Sequence, residues 1–353
     1  MTTVERISLV GLGKLGLCLA AVIADSGIDV IGIDINEDLC ATVNSGRAPW
    51  HEPQLSDVLS RVGGKALRAT SDIQTAIEQT DITVVLVATP SLPDGSFSNE
   101  QVTAALNSLS TALRNSSKRH HLFVISSTVA PGSTQNVFIP LIEQVSNRIC
   151  GEGFSVCFDP DFVALGSVIH DFQNPSLVLL GESDPGVAQI IKGLHKSFVK
   201  SDPQYSVTNL TTAETAKMSL NAYITIKISF ANSLALISSR MPGVDLDAIT
   251  DAIGADPRIG KRYLKGGLPF GGTCFPRDTY AFKALSEAVG VDAFLIDGAN
   301  QINKASQELL EKTTLSLVEN VGSVGVYGLA FKPGTPVLTA VSYTHLRAHE
   351  TSL

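Results

Sequence analysis

Six residues near the N-terminus, Gly11-Leu12-Gly13-Lys14-Leu15-Gly16, limit the architecture more than any other stretch. They follow Arg6–Gly11, RISLVG, which reads as a short buried strand, and precede Leu17–Ser26, which reads as a helix. Asp29–Asp34, DVIGID, then reads as a second strand. Glycine tolerates positive φ and lets two backbones meet with no Cβ between them. In a βαβ setting Gly11 permits the tight turn, Gly13 lets a pyrophosphate lie against backbone N–H groups, and Gly16 lets helix and strand pack closely. Asp34 ends the second strand, where a carboxylate holds a ribose hydroxyl pair and repels a 2′-phosphate. The expectation is an N-terminal Rossmann-like, doubly wound parallel sheet that binds NAD rather than NADP.

The alternation continues. Ser71–Gln79 and Asn99–Leu113 read as helices, and Ile82–Thr89 and His121–Thr128 as strands buried on both faces. Ser155–Phe158 and Leu177–Gly181 add two more. Polar residues at strand C-terminal ends face the ligand crevice of an open α/β sheet, so Thr89 and Thr128 are cofactor-side candidates; turn or helix-cap roles fit them as well. The cluster Lys118-Arg119-His120-His121 reads as a solvated loop. Asp161, in Asp159-Pro160-Asp161-Phe162, suits a water-positioning carboxylate or an acid at a helix N-terminus.

Thr211–Ser239 reads as one long, largely apolar helix. Glu214, Lys217 and Asn221 share a face of it. That stripe fits either a buried polar site or an exposed face with an ion pair. The apolar remainder needs partners, and a dimer seam is one. Further on, Lys265–Asp278, KGGLPFGGTCFPRD, sets Cys274 between two glycine pairs and Pro276-Arg277-Asp278. Pro276 stiffens the chain after the thiol. Arg277 favours a thiolate, and Asp278 is placed to orient a proton or a water. A surface turn with an inert buried cysteine is the alternative. Thr279–Val289 and Phe294–Glu319 read as helices, and Ser323–Leu329 as a strand that opens a further α/β domain. Thr339–Leu353 has no clear period and reads as a non-native tail; its His345/His349 pair lacks further ligands, so no metal is expected.

At 353 residues, two or three domains are expected. The net charge of −8 argues against a general nucleic-acid or anionic-membrane binder. Five cysteines, none in CxxC spacing, fit reduced thiols in a cytoplasm. The N-terminus lacks a signal-type pattern. The one candidate span, around Met218–Ile237, is interrupted by Asn221, Lys227 and Asn232, so no apolar run is expected to cross a bilayer.

Taken together, GLGKLG with Asp34, SSTVAPGST, DPDFVALGSVIHDFQNP, AETAKMSLNAYITIKISFAN, DPRIGKRYLKGGLPFGGTCFPRD and YGLAFKPGT resemble the UDP-glucose/GDP-mannose dehydrogenase family, from residue 4 to about residue 337. The resemblance implies NAD-dependent oxidation of a nucleotide sugar's C6 alcohol to a carboxylate. It implies two Rossmann-like domains joined by a long helix, an assembly at least dimeric through the Thr211–Ser239 helix, and supply of polysaccharide precursors. It implies that Cys274 is the nucleophile, that Lys217 and Asn221 stabilise oxyanion states, that Asp278 assists proton transfer, and that Asp161 holds the catalytic water. Thr128 falls beside the nicotinamide. Arg258, Tyr263, Gly271 and Lys332 fall on substrate positions. The chain departs from the pattern at Asp161, where Glu is usual, at Leu165, where many members carry Glu, and at Arg277, where Lys is commoner. The expected layout is an NAD-binding domain over 1–205, a helical central domain over 206–318, a second Rossmann-like domain only begun over 319–338, and a tail over 339–353. The chain would then be C-terminally truncated. Two other readings remain open: a two-electron β-hydroxyacid-type dehydrogenase, which needs no thiol, and a non-catalytic, dimerising NAD-binding fragment.

Overall fold

The structure, a computed structural model, describes residues 4–318. The expected strand Ser323–Leu329, Lys332, and the segments 319–338 and 339–353 lie outside the described residues. Elements follow in the order β1 Arg6–Val10, α1 Gly16–Asp25, β2 Asp29–Ile33, α2 Glu37–Asn44, α3 Leu55–Val62, β3 Leu67–Thr70, α4 Ile73–Gln79 and β4 Ile82–Val85. Next come α5 Glu100–Asn115, β5 Leu122–Ile125, a π-helix over Thr134–Phe138, α6 Ile139–Ser146, β6 Ser155–Phe158, α7 Val168–Gln173 and β7 Leu177–Glu182. The last are α8 Val187–Phe198, β8 Gln204–Asn209, α9 Leu210–Ser238, α10 Leu246–Gly254, α11 Phe275–Ala288 and α12 Phe294–Val318. Among the described residues two compact units emerge, one of 4–90 and 97–217, the other of 91–96 and 218–318.

The first unit is built on one sheet in the order β3-β2-β1-β4-β5-β6-β7-β8. Strands β3 to β6 pair in parallel, whereas β7 runs antiparallel to β6 and β8 parallel to β7, so the sheet is mixed rather than wholly parallel. The chain turns back after α7, and the last two strands run in the reverse sense. Alternate side chains leave opposite faces. Leu9, Val84 and Val124 join one apolar layer with Leu17, Leu59, Val168 and Leu194; Val10, Val85 and Ile125 join the other with Leu106, Phe138 and Ile142. Helix α1 is apolar all round, as a helix covered on every side must be, and is buried from Gly16 to Ala24. Strands β4 and β5 end at Val85 and Ile125, shorter than expected, which leaves Thr89 and Thr128 in the loops that follow.

His121 overturns its assignment to a solvated loop. Arg119 and His120 are exposed, but His121 is fully buried at the head of β5. Its Nε2 lies 2.7 Å from Thr83 Oγ1, which lies 2.7 Å from Ser8 Oγ, itself 3.0 Å from Thr80 Oγ1. Burial pushes its pKa down to about 3, with the Lys118 charge acting the same way, so the ring is neutral at physiological pH.

In the second unit, α9 is long and apolar enough by length and hydropathy (mean hydropathy 1.3) to cross a membrane, contrary to expectation. Its polar residues show what it packs against instead. Asn232, wholly buried, accepts from Gly267 N at 2.9 Å and donates to Leu268 O at 3.2 Å. Ser229 Oγ donates to Ala299 O at 3.1 Å, and Lys227 Nζ to Ile259 O at 2.8 Å. A different face stays open: Tyr223, Phe230 and Ile237, spaced by seven, are each more than half exposed.

Candidate functional site

The glycine turn has the shape its spacing predicts. Gly11 has φ +96°, and a Cβ there would meet Leu86 O at 2.3 Å. A Cβ on Gly16 would meet Gly11 O at 1.9 Å, so helix and turn touch through bare backbone. Gly13 is exposed and a Cβ on it would meet nothing within 4 Å, which leaves a ligand free to approach that backbone. Asp34 Oδ2 accepts from Leu12 N at 2.8 Å and Oδ1 from Asn36 N at 3.0 Å. A carboxylate has about four acceptor positions, so two remain for ribose hydroxyls. β1 lies between β2 and β4, and the crevice at the C-terminal ends of such strands is where an open α/β sheet takes its ligand. These residues fit a dinucleotide.

Past β4 and β5 the loops are stitched together. Thr89 Oγ1 donates to Thr128 O at 2.7 Å, so its hydroxyl is engaged by the neighbouring loop. Ser127 Oγ accepts from Val87 N at 2.9 Å. Thr128 is half-buried. The start of the π-helix is anchored by Glu214, which is fully buried and accepts from Gly132 N at 2.6 Å and Thr134 N at 2.9 Å. Lys217, on the same stripe, is 7% exposed. Glu214 and Lys217 are therefore buried and Asn221 half-buried, which excludes an exposed stripe, and Glu214 is bonded to backbone.

Asp161 sits well before the first turn of α7, so the helix-end role is excluded. Its backbone carbonyl accepts from Lys217 Nζ, and that ammonium lies 4.4 Å from the Phe162 ring centre. Burial pushes the Asp161 carboxyl well above the ordinary carboxylate range; the Asp159 charge adds to this and the Lys217 charge opposes it. Three residues that sequence patterns did not flag surround this loop. Glu52 accepts from Gly166 N and Val168 N, both at 3.0 Å, and so pins the segment after Asp161. Asp159 Oδ2 lies 2.9 Å from His195 Nε2 of α8. Nothing in the sequence marks His195, an interior helix residue.

In the second unit, Cys274 is the N-cap residue of α11, whose helix begins at Phe275 with Pro276 in its first turn. Pro276 is thus part of the helix start, not of a loop beyond the thiol. Of the five cysteines Cys274 alone is exposed, which removes the inert buried alternative. One helical turn on, Asp278 is 1% exposed. Its Oδ2 accepts from Asn221 Nδ2 at 2.6 Å and its Oδ1 from Arg277 Nε at 2.9 Å. Thr225 Oγ1 and Thr279 Oγ1, 3.2 Å apart, tie the same two helices. Tyr263 has φ +61°, rare for a residue with a Cβ, and meets the Phe275 ring edge-on at 6.2 Å. Arg258 is exposed and bound to Asp256 within its own turn, Nε to Oδ1 at 3.0 Å; Gly271 is half-buried. Among the described residues, no group of three or more His, Cys, Asp and Glu side chains is placed to hold a metal ion.

A dinucleotide cradle on a doubly wound sheet, followed by a helical unit that exposes a cysteine, defines a Rossmann-fold dehydrogenase. Residues 5–199 match the NAD binding domain, and residues 211–305 the central domain, of the UDP-glucose/GDP-mannose dehydrogenase family, and the chain belongs to that family. UDP-glucose 6-dehydrogenase AglM of Haloferax volcanii is 36% identical over 333 residues, which are 94% of this chain and 77% of that protein. GDP-mannose 6-dehydrogenase of Pseudomonas putida is 30% identical over 94% of this chain and 74% of its own length. The structure of a UDP-glucose dehydrogenase from Pyrobaculum islandicum superposes with a TM-score of 0.90 at 31% identity, covering 99% of this chain and 80% of that one. The chain is an NAD-dependent oxidoreductase that acts on a nucleotide sugar.

Proposed function

We propose that this enzyme oxidises the C6 alcohol of UDP-glucose to the carboxylate through a covalent intermediate on Cys274. NAD, when bound, supplies the acceptor for the two hydrides that the change from alcohol to acid releases. Gly11, Gly13, Gly16 and Asp34 hold it, with Thr89 and Thr128 on the nicotinamide side. Cys274 Sγ adds to the carbonyl carbon of the intermediate aldehyde, giving a thiohemiacetal whose oxidation leaves a thioester. Water held by Asp161 adds to the acyl carbon, the C–S bond breaks, and carboxylate and thiol are released. Lys217 and Asn221 stabilise the oxyanion states, and Asp278 handles the proton near the thiol. Arg258, Tyr263 and Gly271 contact the sugar nucleotide, as does Lys332.

One observation carries the thiol route: an exposed cysteine at a helix start with a buried carboxylate one turn later, clamped by Asn221 and Arg277. The open Tyr223–Phe230–Ile237 stripe of α9 supports a homodimer through that helix. Domains over 1–205 and 206–318, a cytoplasmic location, and no dealings with nucleic acid or membrane belong to the same proposal.

The test is NADH formed per molecule of limiting UDP-glucose under excess NAD. Two per sugar for the wild type, with Cys274→Ser falling short of two, supports the proposal. Two from Cys274→Ser would exclude the thiol route, and one from the wild type would point to a two-electron dehydrogenase.

A further inference from the structure

The first unit contains a cavity that the family comparison does not assign. Asp159, Asp161, Ser126 and His195 line it along with Phe162, Phe172, Leu194 and other apolar side chains. It leaves about 60 Å³ for the centres of water-sized molecules, room for about four waters. Its polar residues are arranged in an order. Asp161 Oδ2 and His195 Nδ1 are both sealed from bulk solvent and have no hydrogen-bond partner among the described residues. Buried polar atoms in a polar cavity are ordinarily satisfied by ordered water. The other nitrogen, His195 Nε2, faces the Asp159 carboxylate at 2.9 Å. A carboxylate there accepts, so Nε2 carries the proton and Nδ1 presents a free lone pair. The imidazole is fixed by its surroundings: Phe198 meets it edge-on at 5.4 Å, and the Tyr205 ring lies at 6.2 Å.

We propose that this cavity is a proton path in which His195, held in one tautomer by Asp159, receives through cavity water the proton that Asp161 takes from the hydrolytic water. The proposal rests on the role given above to Asp161. The balance is simple. The attacking water gives its hydroxide to the acyl carbon and its proton to the Asp161 carboxylate. The C–S bond breaks, and its electron pair goes to Cys274 Sγ. Asp161 then passes its proton through water to His195 Nδ1, and the imidazolium returns a proton to bulk water at its Asp159 side, where the two side chains are 10% and 16% exposed, before the next turnover; no oxidant or reductant is consumed. A carboxyl whose neutral form is favoured by burial is a stronger base, but it has to be emptied after each cycle. The path serves that need. The other titratable groups around it are Asp171 in the cavity wall, Lys217 beside Asp161, Tyr205 with Lys192 beside His195, and buried Cys157 next to Asp159.

The experiment compares wild type, His195→Asn, Asp159→Asn and Asp161→Asn. In a rapid-mixing assay with UDP-glucose and NAD, His195→Asn should give a normal NADH burst. Its steady-state kcat should fall about 10- to 100-fold with KM unchanged, and the acidic limb of the kcat–pH profile should move. Asp159→Asn keeps the imidazole in place but weakens its hold, and should show a smaller fall of the same kind. The second readout needs no turnover: the carboxyl ¹³C signal of Asp161 is titrated in each protein. In Asp159→Asn, which removes a charge, its midpoint should move by about one pH unit, the size expected of charges several ångströms apart at an effective dielectric of ~20, and in His195→Asn, which removes a neutral ring, by a smaller but resolvable amount. An Asp161 midpoint unmoved by either the His195 or the Asp159 substitution overturns the path. So does a folded His195→Asn with wild-type kcat and pH profile. If Asp161→Asn turns over normally, the assignment of Asp161 itself fails, whatever His195 does. If Asp161→Asn is slow and His195→Asn is not, only the path fails.

Discussion

Replacing Glu214 by glutamine changes one charge and almost no volume. The wild-type carboxylate satisfies two backbone donors, Gly132 N at 2.6 Å and Thr134 N at 2.9 Å, in a site with no solvent exposure. Glutamine keeps one acceptor and turns an NH₂ towards the second donor. An unpaired buried donor costs ~1–3 kcal/mol, and the bond that survives loses its charge assistance, ~1 kcal/mol more. Part of this is offset, because the variant no longer desolvates a carboxylate. Burial already raises the Glu214 pKa, with the hydrogen bonds from Thr134 and Gly132 opposing it. The net loss is about 1–3 kcal/mol, at roughly 2–4 °C in Tm per kcal/mol. The pH dependence has a definite sign. With the folded-state pKa raised, the native state holds more protons than the unfolded state between the ordinary glutamate value of 4.5 and the raised one. Stability from this group is therefore greatest below the unfolded pKa and is lost as pH rises through the folded one. The wild type should gain on Glu214→Gln as the solution is acidified through that window. Urea unfolding followed by Trp50, the sole tryptophan and a residue of the first unit, measures both effects. A variant within about 0.5 kcal/mol of wild type at pH 7, or a pH trend of opposite sign, would refute the reasoning.

Gly13→Ala should leave Tm unchanged, since its Cβ meets nothing within 4 Å, yet weaken NADH binding about tenfold or more by crowding the approach to the backbone. Gly16→Ala should lose both stability and binding, because its Cβ lands 1.9 Å from Gly11 O; fluorescence titration and thermal melts separate the two cases. Asp34→Ala removes the anchor of Leu12 N and the ribose acceptor, and should cost about 10- to 100-fold in NADH affinity while narrowing the preference over NADPH, read by competitive titration. Phe230→Asp puts a charge in the open stripe of α9 and should shift the mass seen by light scattering to the monomer without lowering Tm by more than a few degrees; an unchanged dimer places the seam elsewhere.

What was legible in the sequence were the places where one residue type is demanded by backbone geometry or period. Gly11 and Gly16 take the positive φ and the close backbone contact that their spacing implied, and on the Glu214–Asn221 stripe Glu214 and Lys217 turned out to be buried and Asn221 half-buried, each polar group engaged. The apolar runs announced β4, β5 and β6, but not where they stop, because the loops that follow are also dry: Val129 is 1% exposed and Ser127 2%. The reversal of β7 left no local mark, since direction in a sheet is set by the path of the connecting chain. β3 and β8 were missed for another reason. As outer strands they are only half apolar, with burial alternating or absent along them. His195, Asp159 and Glu52 were invisible because each owes its position to a partner 36 to 116 residues away, and no window of sequence holds both.

The strand order also dictates how the first unit can be assembled as it is made. After β4 docks beside β1, every later strand adds to the same growing edge in order of synthesis: β5, β6, β7, β8. At each stage the newest strand offers an unpaired edge, on a strand that for β4 to β6 ends up wholly buried, until its successor leaves the ribosome. The 72 residues from Ser8 to its partner Thr80, and the further wait for His121, do not permit early correction of register; once present, however, those hydroxyls and that imidazole reject a one-residue slip, which would strand several buried polar groups at ~1–3 kcal/mol each. Nascent chains halted between β5 and β8 are therefore the species on which aggregation and chaperone capture should concentrate.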